Sequence, residues 1–108
     1  MQGSELVPGV VLDPLQKPPR TERIADRLRA SLRPIELEVI DDSHLHAGHV
    51  GAADGRGHFT VNVSSERFAG MPVVRRHRLI YEAVGEMMNT DIHALSIRAL
   101  APGEGTLP

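Results

Sequence analysis

The sequence predicts a single α+β domain, in which one small mixed sheet of three strands packs against helices. Two segments alternate apolar and polar residues, which is the period of a strand with one buried face. Two longer segments repeat apolar residues every three or four positions, which is the period of an amphipathic helix. A third strand follows the second of these helices, and a length of 108 residues suits one domain. The predicted order is therefore helix, strand, strand, short helix, helix, strand (α-β-β-α-α-β).

The first predicted element is a helix over residues 20–34. Ile24, Leu28 and Leu32 recur every four positions and form its apolar face. Pro34 is expected to end the helix, because proline disfavours helical geometry in the residue before it.

Two predicted strands follow, over residues 35–41 and 58–64. The inward-facing residues are Ile35, Leu37 and Val39 in the first strand and Phe59, Val61 and Val63 in the second. Successive strands of this kind are expected to pair as an antiparallel hairpin. Their connection, residues 42–57, is longer than the roughly 12 residues beyond which a loop in a compact domain is usually functional or disordered.

The second half of the domain is predicted to be a helix and a strand. After a short helical turn at residues 65–70, a long helix is expected over residues 71–89, with Pro72 in its first turn. Its apolar stripe consists of Val73, His77, Ile80, Val84 and Met87. Residues 92–100 form the third strand. Because a helix separates it from the second strand, a right-handed crossover should place these two strands parallel.

The ends of the chain are predicted to lie outside this domain. Residues 1–20 hold four prolines and no helical or strand period beyond VPGVVL, so we expect a flexible N-terminal tail, with VPGVVL as an edge strand the alternative. The domain is expected over residues 21–101, and residues 102–108 form a second polar tail. The chain has no apolar run of about 20 residues and no signal-peptide pattern, so we expect no membrane contact and a cytoplasmic protein.

The composition limits which metal ligands, binding surfaces and enzyme classes this chain can have. The chain has no cysteine, so any metal ligands must be histidine, aspartate or glutamate. A net charge of −2 argues against a protein whose whole surface binds nucleic acid, although a local basic patch is compatible with it. Nucleophile elbow, P-loop and HExxH motifs are all missing from the sequence, and we expect a protein that is not an enzyme.

Histidines cluster at the start of the long connection. The segment DDSHLHAGH, residues 41–49, contains His44, His46 and His49, which are half of the six histidines. Clustered imidazoles can bind a metal, move a proton or contact an anion, and they can also be plain solvated loop residues. A zinc site made by these three alone is less favoured, because a glycine-rich loop does not orient its ligands.

Four motifs in order resemble the BolA family. They are DDSHLHAGH, GHFTVNVSSERFAG, RHRLIYEAV and IHAL, and the resemblance runs from about Arg20 to Ala101. It implies the topology of the type II KH fold, which agrees with the element order above. The family divides into members whose first loop carries cysteine and members whose first loop carries histidine. This chain has no cysteine and resembles the second kind. Asp42 and Gly57 depart from the family pattern, which commonly has glutamate at the first position and a polar residue at the second.

The resemblance implies a partner and a cofactor. BolA-like proteins pair with monothiol glutaredoxins and share a glutathione-dependent 2Fe–2S cluster, in iron–sulfur trafficking or iron regulation, and the domain alone is expected to hold no cluster. His93 stands at the family's ligand position in IHAL, although a strand-capping histidine is the alternative. His46 lies three positions after Ser43, as the family's loop ligand does, and His44 and His49 are near enough to replace it. Imidazole can replace thiolate on one iron of such a cluster.

The resemblance also implies an alternative function. Some bacterial members are described as DNA-binding transcriptional regulators of morphology and stress response. Arg75, Arg76 and Arg78 are expected on the exposed face of the long helix, as a surface for DNA or a protein partner, or as an ordinary solvated face. Gly48 and Gly51 fit the GXXG pattern of KH domains, but they lie between predicted strands, so KH-type RNA binding is not expected.

The two remaining histidines are predicted to be structural. His77 falls on the apolar stripe of the long helix, where a buried, hydrogen-bonded residue is expected. His58 begins the second strand, where a hydrogen bond to the long connection is expected.

Overall fold

The structure, a computed structural model, describes residues 18–46 and 55–108, except for the side chains of Leu45 and His46. The predicted tail up to residue 17, and His49 in the connection, lie outside the described residues. The helices are α1 (Arg20–Leu32), α2 (Val73–Val84) and α3 (Met87–Thr90), and the strands are β1 (Glu36–Asp41), β2 (Gly57–Ser64) and β3 (Ile92–Leu100). Two 3-10 turns, Ser43–His46 and Glu66–Phe68, follow the first two strands. The predicted α+β class and element order are confirmed.

The sheet has the order β1-β2-β3, with β2 in the centre. β1 pairs with β2 antiparallel, and β2 pairs with β3 parallel, as the sequence predicts. Val61 lies opposite Val39 on one side and Ile97 on the other, so the apolar residues of the three strands share one face. Within the described ranges, the structure has no helix long and apolar enough to cross a membrane.

The core lies between that face of the sheet and the helices. It contains Ile24, Leu28 and Leu32 of α1, Phe59, Val61 and Val63 of β2, and Phe68, Ile80, Val84, Met87 and Ile92 from later elements. Burying each large apolar side chain contributes about 1.5–3 kcal/mol. Ile35 is predicted to face inward, and this is wrong: it is 59% exposed, because it precedes the last rung of the sheet, where Glu36 lies opposite Ser64.

The long second helix ends earlier than predicted. α2 stops at Val84, because Gly85 adopts a φ of +56°, in a region that favours glycine. A separate short helix, α3, begins at Met87 and leads into β3. The predicted helix over residues 71–89 is therefore two helices with a glycine between them.

The buried face of α2 also differs from the predicted stripe. Val73 is 60% exposed, and Arg76 is buried together with Ile80 and Val84. The prediction that Arg76 lies on the exposed face is wrong. A buried charge is stable only when its hydrogen-bonding groups are satisfied, and the structure supplies such partners at Arg76.

Arg76 ties the end of the domain together. Its guanidinium donates to the backbone oxygens of Met71 (2.8 Å) and Ala99 (3.0 Å), and its Nη2 lies 2.8 Å from an oxygen of Glu104. The same group lies 5.8 Å from the ring centroid of Phe68. The hydrogen bond from Arg76 lowers the pKa of Glu104 to about 2, from an ordinary 4.5. This contact fastens Glu104, in the predicted polar tail, to the fold.

Candidate functional site

Histidine, aspartate and arginine side chains lie together at one end of the sheet. Because β2 and β3 are parallel, both begin at this end, and the antiparallel β1 finishes there. The backbone N–H of Asp42 donates to the backbone oxygen of His58 (2.8 Å), and the backbone N–H of Gly57 donates to the backbone oxygen of Asp91 (2.9 Å). The end of β1, the 3-10 turn Ser43–His46 and the starts of β2 and β3 are thus held together. We call this region the histidine end.

A β-bulge turns His93 toward His58. Gly57 lies opposite Ile92, but His58 lies opposite Ala94, so His93 is an extra residue in β3 without a rung partner. A bulge of this kind redirects a side chain at a strand end. The rings of His58 and His93 are 5.1 Å apart between centroids and tilted by 52°. The structure therefore brings together two histidines that the sequence analysis treats separately.

The sequence contained a signal for this pair. The two strands begin with Gly57-His58-Phe59 and Ile92-His93-Ala94, so each has histidine as its second residue. Parallel pairing of two such strands places their second residues at the same end of the sheet.

His93 is exposed, and its closest charged neighbour is Arg56. Nη2 of Arg56 lies 3.4 Å from Nδ1 of His93, and Nη1 donates to the backbone oxygen of Met88 at 3.3 Å. Arg56 was not predicted from the sequence as a site residue. It is a lone charged residue in the segment Gly55-Arg56-Gly57, and its contacts with Met88 and His93 are visible only in the structure.

The turn after β1 is fixed by Ser43. Its backbone N–H donates to Oδ1 of Asp41 (2.9 Å), and its Oγ accepts from the N–H of His58 (3.1 Å). Burial raises the pKa of Asp41, but the hydrogen bonds from Ser43 outweigh it, and the net pKa is lowered. His44 follows in the turn and is exposed. The backbone of His46 belongs to the same turn, and its side chain is outside the described part of the chain.

Gly57 makes this arrangement possible. A Cβ atom at this position would lie 2.4 Å from Oγ of Ser43 and 2.9 Å from the ring of Phe59, both closer than van der Waals contact. A residue with a side chain there would displace the Ser43 hydroxyl from its hydrogen bond with the N–H of His58.

Two more arginines border the histidine end. Arg20 donates to the backbone oxygens of Gly55 (2.8 Å) and Asp91 (3.2 Å), and Arg23 forms an ion pair with the carboxylate of Asp91. The pKa of Asp91 is lowered by the hydrogen bond from its neighbour Thr90 and then by that from Arg23, against the effect of burial. Together with Arg56, these arginines offset the carboxylates of Asp41, Asp42 and Asp91 at the histidine end.

The described residues cannot complete a metal site by themselves. No group of three or more histidine, cysteine, aspartate or glutamate side chains with metal-binding geometry occurs in this part of the chain. His93 has an exposed imidazole at this end of the sheet.

The second predicted surface lies on α2. Arg75 and Arg78 are exposed, so two of the three predicted arginines are available to a partner. Val74 (69% exposed) and Tyr81 (40%) lie beside them and add apolar area. His77 is half-buried on this surface rather than fully buried as predicted.

Comparison with known proteins gives a consistent result. The family model described as "BolA-like protein" matches residues 28–104. The chain is 42% identical over 88 residues to "Protein BOLA1, chloroplastic" of Arabidopsis thaliana, which covers 79% of this chain and 55% of that protein. It is 44% identical over 90 residues to "SufE-like protein 1, chloroplastic/mitochondrial" of the same plant, covering 79% of this chain and 24% of that protein. It is 41% identical over 76 residues to "DNA-binding transcriptional regulator BolA" of Escherichia coli (strain K12), covering 70% of each. The chain thus spans about half of the first of these relatives and about a quarter of the second.

Solved structures share the fold. The BolA domain of SufE1 from Arabidopsis thaliana superposes with a TM-score of 0.72 at 40% identity, covering 83% of this chain and 100% of that one. BolA1 from Arabidopsis thaliana gives a TM-score of 0.71 at 37% identity, with the same coverage.

Proposed function

We propose that this chain, which belongs to the BolA-like protein family, is a non-enzymatic partner of a monothiol glutaredoxin. In this proposal the two proteins hold a 2Fe–2S cluster together, with glutathione, in iron–sulfur trafficking or iron regulation. The observation that carries the proposal is the exposed imidazole of His93, which a β-bulge places beside His58 at the histidine end.

The number of ligands that a 2Fe–2S cluster needs supports a cluster shared between two proteins. A 2Fe–2S cluster takes four protein or thiol ligands, and two imidazoles can replace the two thiolates on one iron. This chain has no cysteine. It would supply His93 and one histidine from the turn after β1, while the glutaredoxin cysteine and glutathione would supply the thiolates. His46 is our choice for that second ligand, and His44 and His49 are the alternatives.

Two arginines that border the histidine end, Arg20 and Arg23, suit a partner that carries carboxylates. With Arg56 they offset the carboxylates of Asp41, Asp42 and Asp91, so these six side chains carry no net charge. Guanidinium groups bind carboxylates well, and glutathione carries two carboxylates. The role of this chain is therefore to bind and orient, with no bond broken by its own residues.

The test is a reconstitution with glutaredoxin, glutathione, iron and sulfide. Visible absorption and circular dichroism would distinguish the mixed complex from the glutaredoxin homodimer. We expect a distinct spectrum with the wild-type chain, its loss in His93→Ala, and its loss or change in His46→Ala. His77→Ala, on α2, is the matched control and should keep the mixed spectrum. A spectrum that is indifferent to both His93 and His46 would refute the proposal.

A DNA-binding function is the second candidate. It is favoured by the name of the Escherichia coli relative, a DNA-binding transcriptional regulator, and by the exposed Arg75 and Arg78 on α2. Binding through these side chains should weaken steeply with salt, because phosphate contacts release counterions. Replacing either arginine with alanine should reduce the slope of log affinity against log salt by about 1, and His93→Ala should leave it unchanged. Binding that is absent at about 50 mM salt, or unaffected by both substitutions, would exclude this candidate.

A further inference from the structure

Arg56 contacts the imidazole that the proposed function needs as a ligand. One guanidinium nitrogen lies 3.4 Å from Nδ1 of His93, and another donates to the backbone oxygen of Met88, in α3. The ring of His58 is a further neighbour of His93, at 5.1 Å between centroids. Arg56 is thus anchored on α3 while it reaches His93 at the start of β3.

The chemistry of this contact fixes the proton on His93. A guanidinium group has hydrogen-bond donors and no acceptor. Nδ1 of His93 must therefore accept, and the single proton of the neutral imidazole lies on Nε2. A metal binds the lone pair of an imidazole nitrogen. In the observed arrangement one lone pair is engaged by Arg56 and the other nitrogen carries the proton.

We infer that Arg56 is a positioning residue, which holds His93 in the Nε2–H tautomer and must release Nδ1 before His93 can bind a metal. This inference rests on the proposed function for its consequence. After release, Nδ1 itself can bind the metal, or the proton can move from Nε2 to Nδ1 and leave Nε2 free to bind. Neither route adds or removes a proton overall. Arg56 therefore controls when His93 becomes a ligand.

The hold by Arg56 can be tested on the full chain alone, without a cluster. Nitrogen-15 NMR of the imidazoles reports which nitrogen carries the proton. We expect His93 to be the Nε2–H tautomer in the wild-type chain, and Arg56→Met to show an additional population protonated at Nδ1. Arg67→Met, which removes the same charge from the exposed turn after β2, should match the wild type. An Nδ1–H tautomer in the wild type, or no difference in Arg56→Met, would overturn the inference.

The release step is tested in the mixed complex. A hydrogen bond contributes a net 0.5–1.5 kcal/mol, so Arg56→Met should speed the appearance of the mixed spectrum by about two- to tenfold. Arg67→Met should leave the rate unchanged. An Arg56→Met rate equal to or below the wild-type rate would overturn the release step. If the wild-type chain forms no histidine-dependent complex at all, the proposed function fails, and the NMR experiment still decides whether Arg56 holds His93.

Discussion

Gly57 is the position where one added methyl group should disturb both the fold and the histidine end. In Gly57→Ala the new Cβ would lie 2.4 Å from Oγ of Ser43, against an ordinary contact of 3.4 Å or more, so the hydroxyl must rotate away or shift by about 1 Å. That movement breaks the hydrogen bond from the N–H of His58 to Ser43, worth about 0.5–1.5 kcal/mol. Crowding of the buried Phe59 ring adds about 1–3 kcal/mol.

The expected net loss is about 1–3 kcal/mol in the free energy of unfolding. It is smaller than the sum of the two costs, because replacing glycine restricts the unfolded chain and returns about 0.4–1 kcal/mol. The melting temperature should fall by about 4–8 °C for each kcal/mol in a domain of this size. Denaturant and thermal unfolding, followed by circular dichroism, measure both quantities.

A double-mutant cycle separates the crowding at Ser43 from other effects. In a Ser43→Ala background the closest overlap and the hydrogen bond are already gone, so Gly57→Ala should cost about 1 kcal/mol less there. Gly55→Ala is the control: it has a φ of +83° and no described atom within 4 Å of an added Cβ, so its cost should come from backbone strain and be equal in both backgrounds. Equal costs for Gly57→Ala in the two backgrounds would refute the reasoning.

Two further predictions concern stability. Ser65 is fully buried, and its Oγ donates to the backbone oxygen of Leu32 at 2.6 Å. Ser65→Ala should therefore lower the free energy of unfolding, measured by chemical denaturation, by about 1–3 kcal/mol. Ser64 is half-exposed, and Ser64→Ala should change the same quantity by less than about 0.5 kcal/mol. An equal effect at both serines would contradict this. Arg76 lowers the pKa of Glu104 to about 2, so this ion pair stabilises the fold fully above pH 4.5, the ordinary pKa, and its contribution is lost as the pH falls to about 2. Glu104→Gln should remove that part of the pH dependence when unfolding midpoints are measured between about pH 5 and pH 2, and an unchanged pH profile would count against the contact.

The elements could be predicted because their periods are local properties of the sequence. The alternation around Val39 and Val61 marks two strands, and the spacing of Ile24 and Leu28 marks a helix. The parallel placement of β3 follows from the helix that precedes it. These features depend on residues that are close in the chain.

The misplaced features depend on distant partners. Arg76 was predicted to be exposed because arginine usually is, but it is satisfied by Ala99 and Glu104, more than 20 positions away. The break at Gly85 could not be distinguished from a tolerated helical glycine, since its φ is set by how α3 turns toward β3. Sequence patterns do not show such long-range contacts.

The candidate site was predictable in part for the same reason. His93 could be named from a motif, but its orientation depends on the bulge between Gly57 and His58. Arg56 was missed because its contacts are with Met88 and His93, more than 30 positions away in the chain.

The parallel pairing of β2 and β3 has a practical consequence for attaching anything to this protein. From His93 to Leu100, β3 advances seven residues, which at about 3.3 Å per residue is roughly 23 Å. A label, tether or second protein joined after Glu104 therefore starts at the far end of the sheet from the imidazoles. One joined ahead of Pro18 enters beside Arg20, which contacts Gly55 and Asp91 at the histidine end. Immobilisation through a residue after Glu104 should leave the histidine end accessible, and immobilisation at Pro18 should crowd it.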